Sequence, residues 1–234
     1  MGRIIRFYMS FLAAGFLAVA PASLAGDNEQ AIPSPDGQFC FEIAADDNNP
    51  FGIARITSKE TGKAVWETPE KARNSFTEDS RCVWSPDSKK FALNYRAGSR
   101  YETTDIFRWD GGVFVPSPSF EELFSSRLAA AKEKQLRKLV DKLPEDFAGK
   151  KALLEGANHR RIWDNFTVRR WIDDNTLEAT AYSISFVCPG IEENDGEDIS
   201  GALRFVLRID DRGRCKILEE KMISLESAAG TSEE

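Results

Sequence analysis

The sequence predicts a mainly β chain of the α+β class, with antiparallel sheets built from hairpins and one long amphipathic helix inserted near the middle. Three observations carry this. Apolar or alternating runs recur at strand length on both sides of residues 119–143. Clusters of Asp, Asn, Gly and Pro separate them. Between the two β blocks the apolar period changes from two to between three and four.

The first β block covers 38–115. Gln38–Ile43 and Phe51–Ile56 read as strands around an Asp46-Asp47-Asn48-Asn49-Pro50 turn. Ala64–Trp66, Cys82–Trp84, Phe91–Tyr95, Thr103–Trp109 and Val113–Val115 follow, with Asp110-Gly111-Gly112 supplying the positive backbone torsions of a tight hairpin. Helix 119–143 starts at a capping box, Ser119-Phe120-Glu121-Glu122, and ends at Pro144. Phe120, Leu123, Phe124, Leu128, Leu136, Leu139, Val140 and Leu143 make its apolar face. A shorter helix falls within 145–154. The second β block, 161–220, holds Arg161–Trp163, Phe166–Trp171, the alternating run Leu177–Cys188, and a hairpin of Leu203–Ile209 with Cys215–Leu218. Residues 190–200 read as an acidic loop, and 225–234 as a disordered tail.

The N-terminus predicts export. Arg3 and Arg6 precede a 14-residue apolar run, Phe7–Ala20, and small residues Ser23 and Ala25 mark a cleavage site before Gly26. The run is too short to span a bilayer comfortably, so 1–25 reads as a signal peptide rather than an anchor. Cleavage would leave 209 of the 234 residues as one β-rich domain, 26–224 plus the tail. No later stretch reads as a membrane span, and the mature chain is expected to be soluble, periplasmic or secreted. The signal carries two of the 31 basic residues and none of the 38 acidic ones, so the mature charge would be −9. That balance argues against nucleic acid as a partner, because phosphate binding needs a basic face.

Four cysteines in an exported chain, Cys40, Cys82, Cys188 and Cys215, predict two disulfides. Of three possible pairings, Cys40–Cys82 and Cys188–Cys215 join neighbouring predicted strands. No C-x-x-C spacing exists and His159 is the only histidine, so no metal or cofactor is expected.

An internal echo links Ser34-Pro35-Asp36-Gly37-Gln38-Phe39 to Trp84-Ser85-Pro86-Asp87-Ser88, 51 residues on, and more loosely to Trp171-Ile172-Asp173-Asp174-Asn175-Thr176-Leu177. These residues resemble the W-S-P-D-G-x-x-hydrophobic repeat of WD-like β-propellers in bacterial exported proteins. The first copy lacks the Trp and the third lacks Ser-Pro. With a helix between unevenly spaced copies, the resemblance implies a few blade-like hairpin units rather than a closed propeller. It implies binding or scaffolding, and carries over no catalytic residue.

No catalytic signature stands out. His159 lies beside Arg160 and Arg161, which disfavour its charged form, and there is no Gly-x-Ser-x-Gly elbow. The acidic run Glu192–Asp198 and the Asp46–Asn49 cluster lack the spacing of a calcium loop and read as solvated turns. Lys132, Lys134, Arg137, Lys138 and Lys142 read as the wet face of the helix. Trp66, Trp84, Trp109, Trp163 and Trp171 read as strand packing. The functional expectation is a protein- or envelope-binding module, with an extracytoplasmic hydrolase using unidentified carboxylates as the alternative.

Overall fold

Among the described residues, alternating apolar positions and hairpin turns form twelve strands in three antiparallel meanders of four. A computed structural model describes residues 31–46, 49–68, 80–117, 121–145, 147, 149–156, 159–188 and 196–230. The first unit is β1 (Ile32–Pro33), β2 (Phe39–Asp46), β3 (Asn49–Ser58) and β4 (Ala64–Glu67), paired in that order. The second is β5 (Arg81–Trp84), β6 (Lys90–Gly98), β7 (Tyr101–Trp109) and β8 (Phe114–Pro116). Helices α1 (Glu121–Asp141) and α2 (Lys150–Leu154) intervene. The third unit is β9 (His159–Trp171), β10 (Thr176–Val187), β11 (Glu197–Ile209) and β12 (Cys215–Met222), followed by α3 (Leu225–Ala229). The mainly β, antiparallel fold class is as the sequence predicts.

The second and third units join into one eight-stranded sheet through a short parallel contact, Tyr101 and Glu102 of β7 against Asp164 and Asn165 of β9. Beyond it, side chains of the second unit continue the pairing. Thr104 Oγ1 donates to the Phe166 carbonyl at 2.9 Å. Asn94 donates to the Val168 carbonyl at 2.9 Å and accepts from its N–H at 3.0 Å. Buried backbone groups need partners, and here two side chains stand in for a strand.

The cores follow from strand alternation. Phe91 and Leu93 of β6 face the first unit and pack with Phe39, Phe41, Ile56, Trp66, Phe107 and Phe114. Ala92, on the other face, joins the core of the third unit, where Phe166, Leu177, Phe205 and Leu207 meet Phe124 and Leu128 of α1. The middle unit is thus buried on both faces. A smaller cluster ties Leu136, Leu139 and Val140 of α1 to Leu153 of α2 and to Val187 and Ile199.

The Ser-Pro-Asp echo is structural. Ser34 N–H donates to the Phe39 carbonyl at 3.0 Å and Ser85 N–H to the Lys90 carbonyl at 2.9 Å. Each serine hydroxyl donates to the Asp two residues on at 2.7 Å, Asp36 and Asp87. Gly37 and Ser88 occupy the same left-handed position, φ 73° and 59°. Asp173 accepts the N–H groups of Asn175 and Thr176 at 2.8 and 2.7 Å in the third turn. The turns also touch: Asp36 N–H donates to Ser88 Oγ at 3.1 Å, and Lys90 Nζ donates to Asn175 Oδ1 at 2.9 Å. Trp84 donates through Nε1 to the Ile32 carbonyl at 3.4 Å, and Trp171 does the same to the Val83 carbonyl at 3.0 Å. In both cases the acceptor lies two residues before the Ser of the preceding turn. The tryptophans therefore bridge successive units, and Trp84 also packs on Phe91 of its own hairpin.

Several expectations change. β9 is one strand from His159, where the sequence suggested two. β11 begins at Glu197, inside the expected acidic loop, because Val187 of β10 extends the ladder to it. The tail expected to be disordered from 225 forms α3: Ser224 caps it by accepting the Ser227 N–H at 3.1 Å, Gly230 ends it at φ 76°, and Ala228 is fully buried. A Ser cap and a Gly five residues after the helix start are local signals that were present in the sequence. The expected signal peptide, the expected capping residue Ser119 and most of the acidic run, Glu192–Asp195, lie outside the described residues.

Candidate functional site

Two concave sites flank the third unit. The larger is a cleft of about 340 Å³ where the second and third units meet. Arg81, Arg96 and Arg169 line it with Asn94, Glu102, Asn165 and Tyr182. β9 delivers Arg169 by a bulge: the register passes from Glu178↔Arg170 to Ala179↔Val168, so Arg169 is the extra residue and its side chain is re-aimed. Its Nε donates to Thr180 Oγ1 at 2.9 Å, and its Nη2 donates to the carbonyl of Ala228 at the end of α3. Burial lowers the pKa of this guanidinium, and the Arg81 charge adds to that effect while Tyr182 opposes it. Burial also pushes the Tyr182 phenol up, with Glu102 adding to it. Arg96 donates to the Gly98 and Ser99 carbonyls at 3.1 and 2.9 Å and stacks over Trp163 at 5.3 Å. None of the three arginines forms an ion pair with a described carboxylate, whereas Arg55, Arg127, Arg161, Arg170, Arg204 and Arg214 do. Glu102 is occupied by the Asn165 amide.

The smaller cavity, about 170 Å³, lies between α1 and the starts of β7 and β9. Lys132 of α1 reaches into it and donates to Ser183 Oγ at 2.8 Å and Ser185 Oγ at 3.1 Å. The expectation that Lys132 belongs to the wet helix face is therefore corrected; Lys134, Arg137, Lys138 and Lys142 are exposed, as expected. Gly201 explains the close seat. A Cβ there would lie 3.0 Å from the Leu128 carbonyl oxygen and from Ala131 Cβ, and 3.2 Å from Lys132 Cγ. Only a residue without a side chain lets the helix backbone come this near. Gly201→Ala is expected to lift α1 and cost about 1–3 kcal/mol by overpacking, measured as a lower urea midpoint with unchanged slope.

The remaining candidates do not assemble into a site. His159 opens β9 opposite Val187, and its Nε2 is buried without a hydrogen-bond partner among the described residues. Burial holds its imidazole below the ordinary histidine range, and the Lys132 charge adds to this. No cluster of three potential metal ligands occurs among the described residues. Trp66 and Trp171 are core, at 8% exposure each, and Trp84 and Trp109 pack against Phe114.

Of the two expected disulfides, the Cys188–Cys215 pairing is corrected. No disulfide joins Cys40, Cys82, Cys188 and Cys215 to one another in the structure. Val187 sits opposite Glu197 and Cys215 opposite Ile209, so β11 separates Cys188 from Cys215. Twelve residues of strand at about 3.3 Å each span roughly 40 Å, against the ~7 Å a disulfide allows between Cα atoms. Cys40 lies between Phe39 and Phe41, which both point into the core that holds Cys82, and Cys82 senses the charge of the Cys40 thiol. Burial raises the Cys82 thiol well above its ordinary value and pushes Cys215 up to about 11, which suits unreactive thiols. Peptide mapping of unreduced protein should find no Cys188–Cys215 cross-link; such a cross-link would contradict the register of β11.

No protein-family model matches the chain, and no curated protein matches it either.

Proposed function

We propose that the chain is an exported binding protein that grips an acidic segment of a protein partner in the cleft between its second and third units. One observation carries this reading: Arg81, Arg96 and Arg169 converge on a cleft that holds one carboxylate, Glu102, already taken up by the Asn165 amide, and none of the three forms an ion pair with a described carboxylate, in a chain of net charge −7. Guanidinium groups present planar, paired donors that match carboxylates. The cleft volume suits one or two carboxylate side chains rather than a folded domain. The first two units share a Ser-Pro-Asp turn, the feature on which the WD-like resemblance rests, and repeat folds commonly present binding surfaces. Export remains part of the proposal, on the strength of residues 1–25.

The test uses a fluorescent oligoglutamate peptide and its glutamine counterpart, followed by polarisation, with mature protein whose N-terminus is first established as Gly26. The glutamate peptide is expected to bind saturably, to weaken as salt screens the contact, and to lose about tenfold in affinity with Arg81→Glu, a change of ~1.4 kcal/mol. Equal binding of the two peptides, or undiminished binding by the variant, would overturn the cleft. An N-terminus that retains residues 1–25 would overturn export.

A further inference from the structure

The cavity under α1 brings a lysine, a serine and an aspartate into one hydrogen-bonded chain. Lys132 Nζ contacts Ser183 Oγ at 2.8 Å, and Ser183 contacts the Asp164 carboxylate on its other side. Asp164 is held in turn by Arg161 at 3.2 Å. Ser183 is 4% exposed, yet it forms part of the cavity wall. Tyr101, Leu128 and Phe166 supply an apolar wall to the same cavity.

We propose that Ser183 is the nucleophile of an acyl-transfer site, with Lys132 as its proton acceptor and Asp164 as a positioning residue. The substrate class is a small carboxylic ester whose short acyl chain fits the apolar wall. A serine hydroxyl is a weak nucleophile until an adjacent base takes its proton, and lysine fills that role in one known variant of the triad. Burial favours the neutral amine at Lys132; Asp164 opposes this and Arg161 supports it. His159, at the start of β9, is the other titratable group that senses the Lys132 charge. In the structure Nζ donates to Ser183 Oγ at 2.8 Å and the hydroxyl donates to Asp164; with the amine neutral, the hydroxyl turns from Asp164 and donates to Nζ across the same contact. Oγ then bonds to the acyl carbon as the bond from that carbon to the alcohol oxygen breaks. The serine proton passes to Nζ and from there to the departing alcohol. A water molecule next gives its proton to Nζ and attacks the acyl carbon. The acid leaves, and Ser183 takes the proton back. No oxidant, reductant or metal enters the balance. The site is separate from the arginine cleft, and its test is independent of the binding proposal.

Purified mature protein is treated with an alkyl fluorophosphonate, and hydrolysis of p-nitrophenyl butyrate is followed in parallel. One phosphonyl adduct is expected, on Ser183 by peptide mapping, at a rate that rises with pH through an ionisation below that of an ordinary lysine. Ser183→Ala should abolish both labelling and hydrolysis. Lys132→Arg keeps the positive charge and donors but cannot accept a proton, so it should slow labelling roughly hundredfold while circular dichroism stays native. Lys132→Met serves as the second variant and should slow labelling to a similar extent. Absence of an adduct on Ser183, or labelling of a folded Lys132 variant at the parent rate, would overturn the proposal.

Discussion

Phe91→Ala is expected to destabilise the fold by about 3–5 kcal/mol, the range for removing a large aromatic side chain from a closed core. Phe91 has no exposed surface. Its ring stacks on Phe107 at 4.8 Å and meets Phe114, Trp84 and Trp66 at 5.1, 5.3 and 5.4 Å. These partners come from the first and second units, so the deletion opens a cavity at the contact between them. Strand β6 cannot collapse into the space, because Ala92 and Asn94 hold its other face against the third unit. The measurement is chemical denaturation followed by tryptophan fluorescence. A loss below ~1 kcal/mol would show that the two units do not share this core.

Asn94→Ala is expected to cost about 1–3 kcal/mol, since it removes the side-chain donor to the buried Val168 carbonyl and leaves the Val168 N–H only a longer, 3.4 Å contact to Thr104 Oγ1. Thr104 Oγ1, whose hydroxyl is shared between the Phe166 carbonyl and Asn94 Oδ1, also loses a neighbour. The amide acts as a one-residue strand against the open edge of β9, so the loss is larger than that of an ordinary surface hydrogen bond. Asn94→Asp retains an acceptor for the Val168 N–H but removes the donor to its carbonyl, and should also destabilise. Hydrogen exchange at the Val168 amide gives the local readout. Faster exchange there, with the first unit unchanged, is the expected pattern; uniform exchange across the chain would argue against the local tie.

Much of this architecture was legible in the sequence because its causes are local. The alternation in Leu177–Cys188 produced β10, and the three-to-four spacing from Phe124 to Val140 produced α1. Ser34 and Ser85 built the same turn because Ser, Pro and Asp carry its hydrogen bonds within six residues. The site was much less legible. Lys132 looks like its exposed neighbours along the helix, and only Gly201, 69 positions away, explains why it can sink toward Ser183. Ser183 and Ser185 read as ordinary small residues of an alternating strand. Arg169 enters the cleft through a bulge, which periodicity does not reveal.

The cysteines mark the same boundary from the other side. Neighbouring strands suggested the Cys188–Cys215 pair, but strand adjacency says nothing of position along the strand, and register placed the two thiols at opposite ends of β11. By itself the sequence determined the class of fold, the helix between two β blocks, and the turns that join the strands, since each follows from the torsional and hydrogen-bonding preferences of a few adjacent residues. Tertiary structure alone decided which units share a core, which charges meet in a cleft, and which lysine faces a serine. Those outcomes depend on register, on bulges and on the closeness of helix to sheet, where residues far apart in the chain must satisfy one another's packing and hydrogen bonds together.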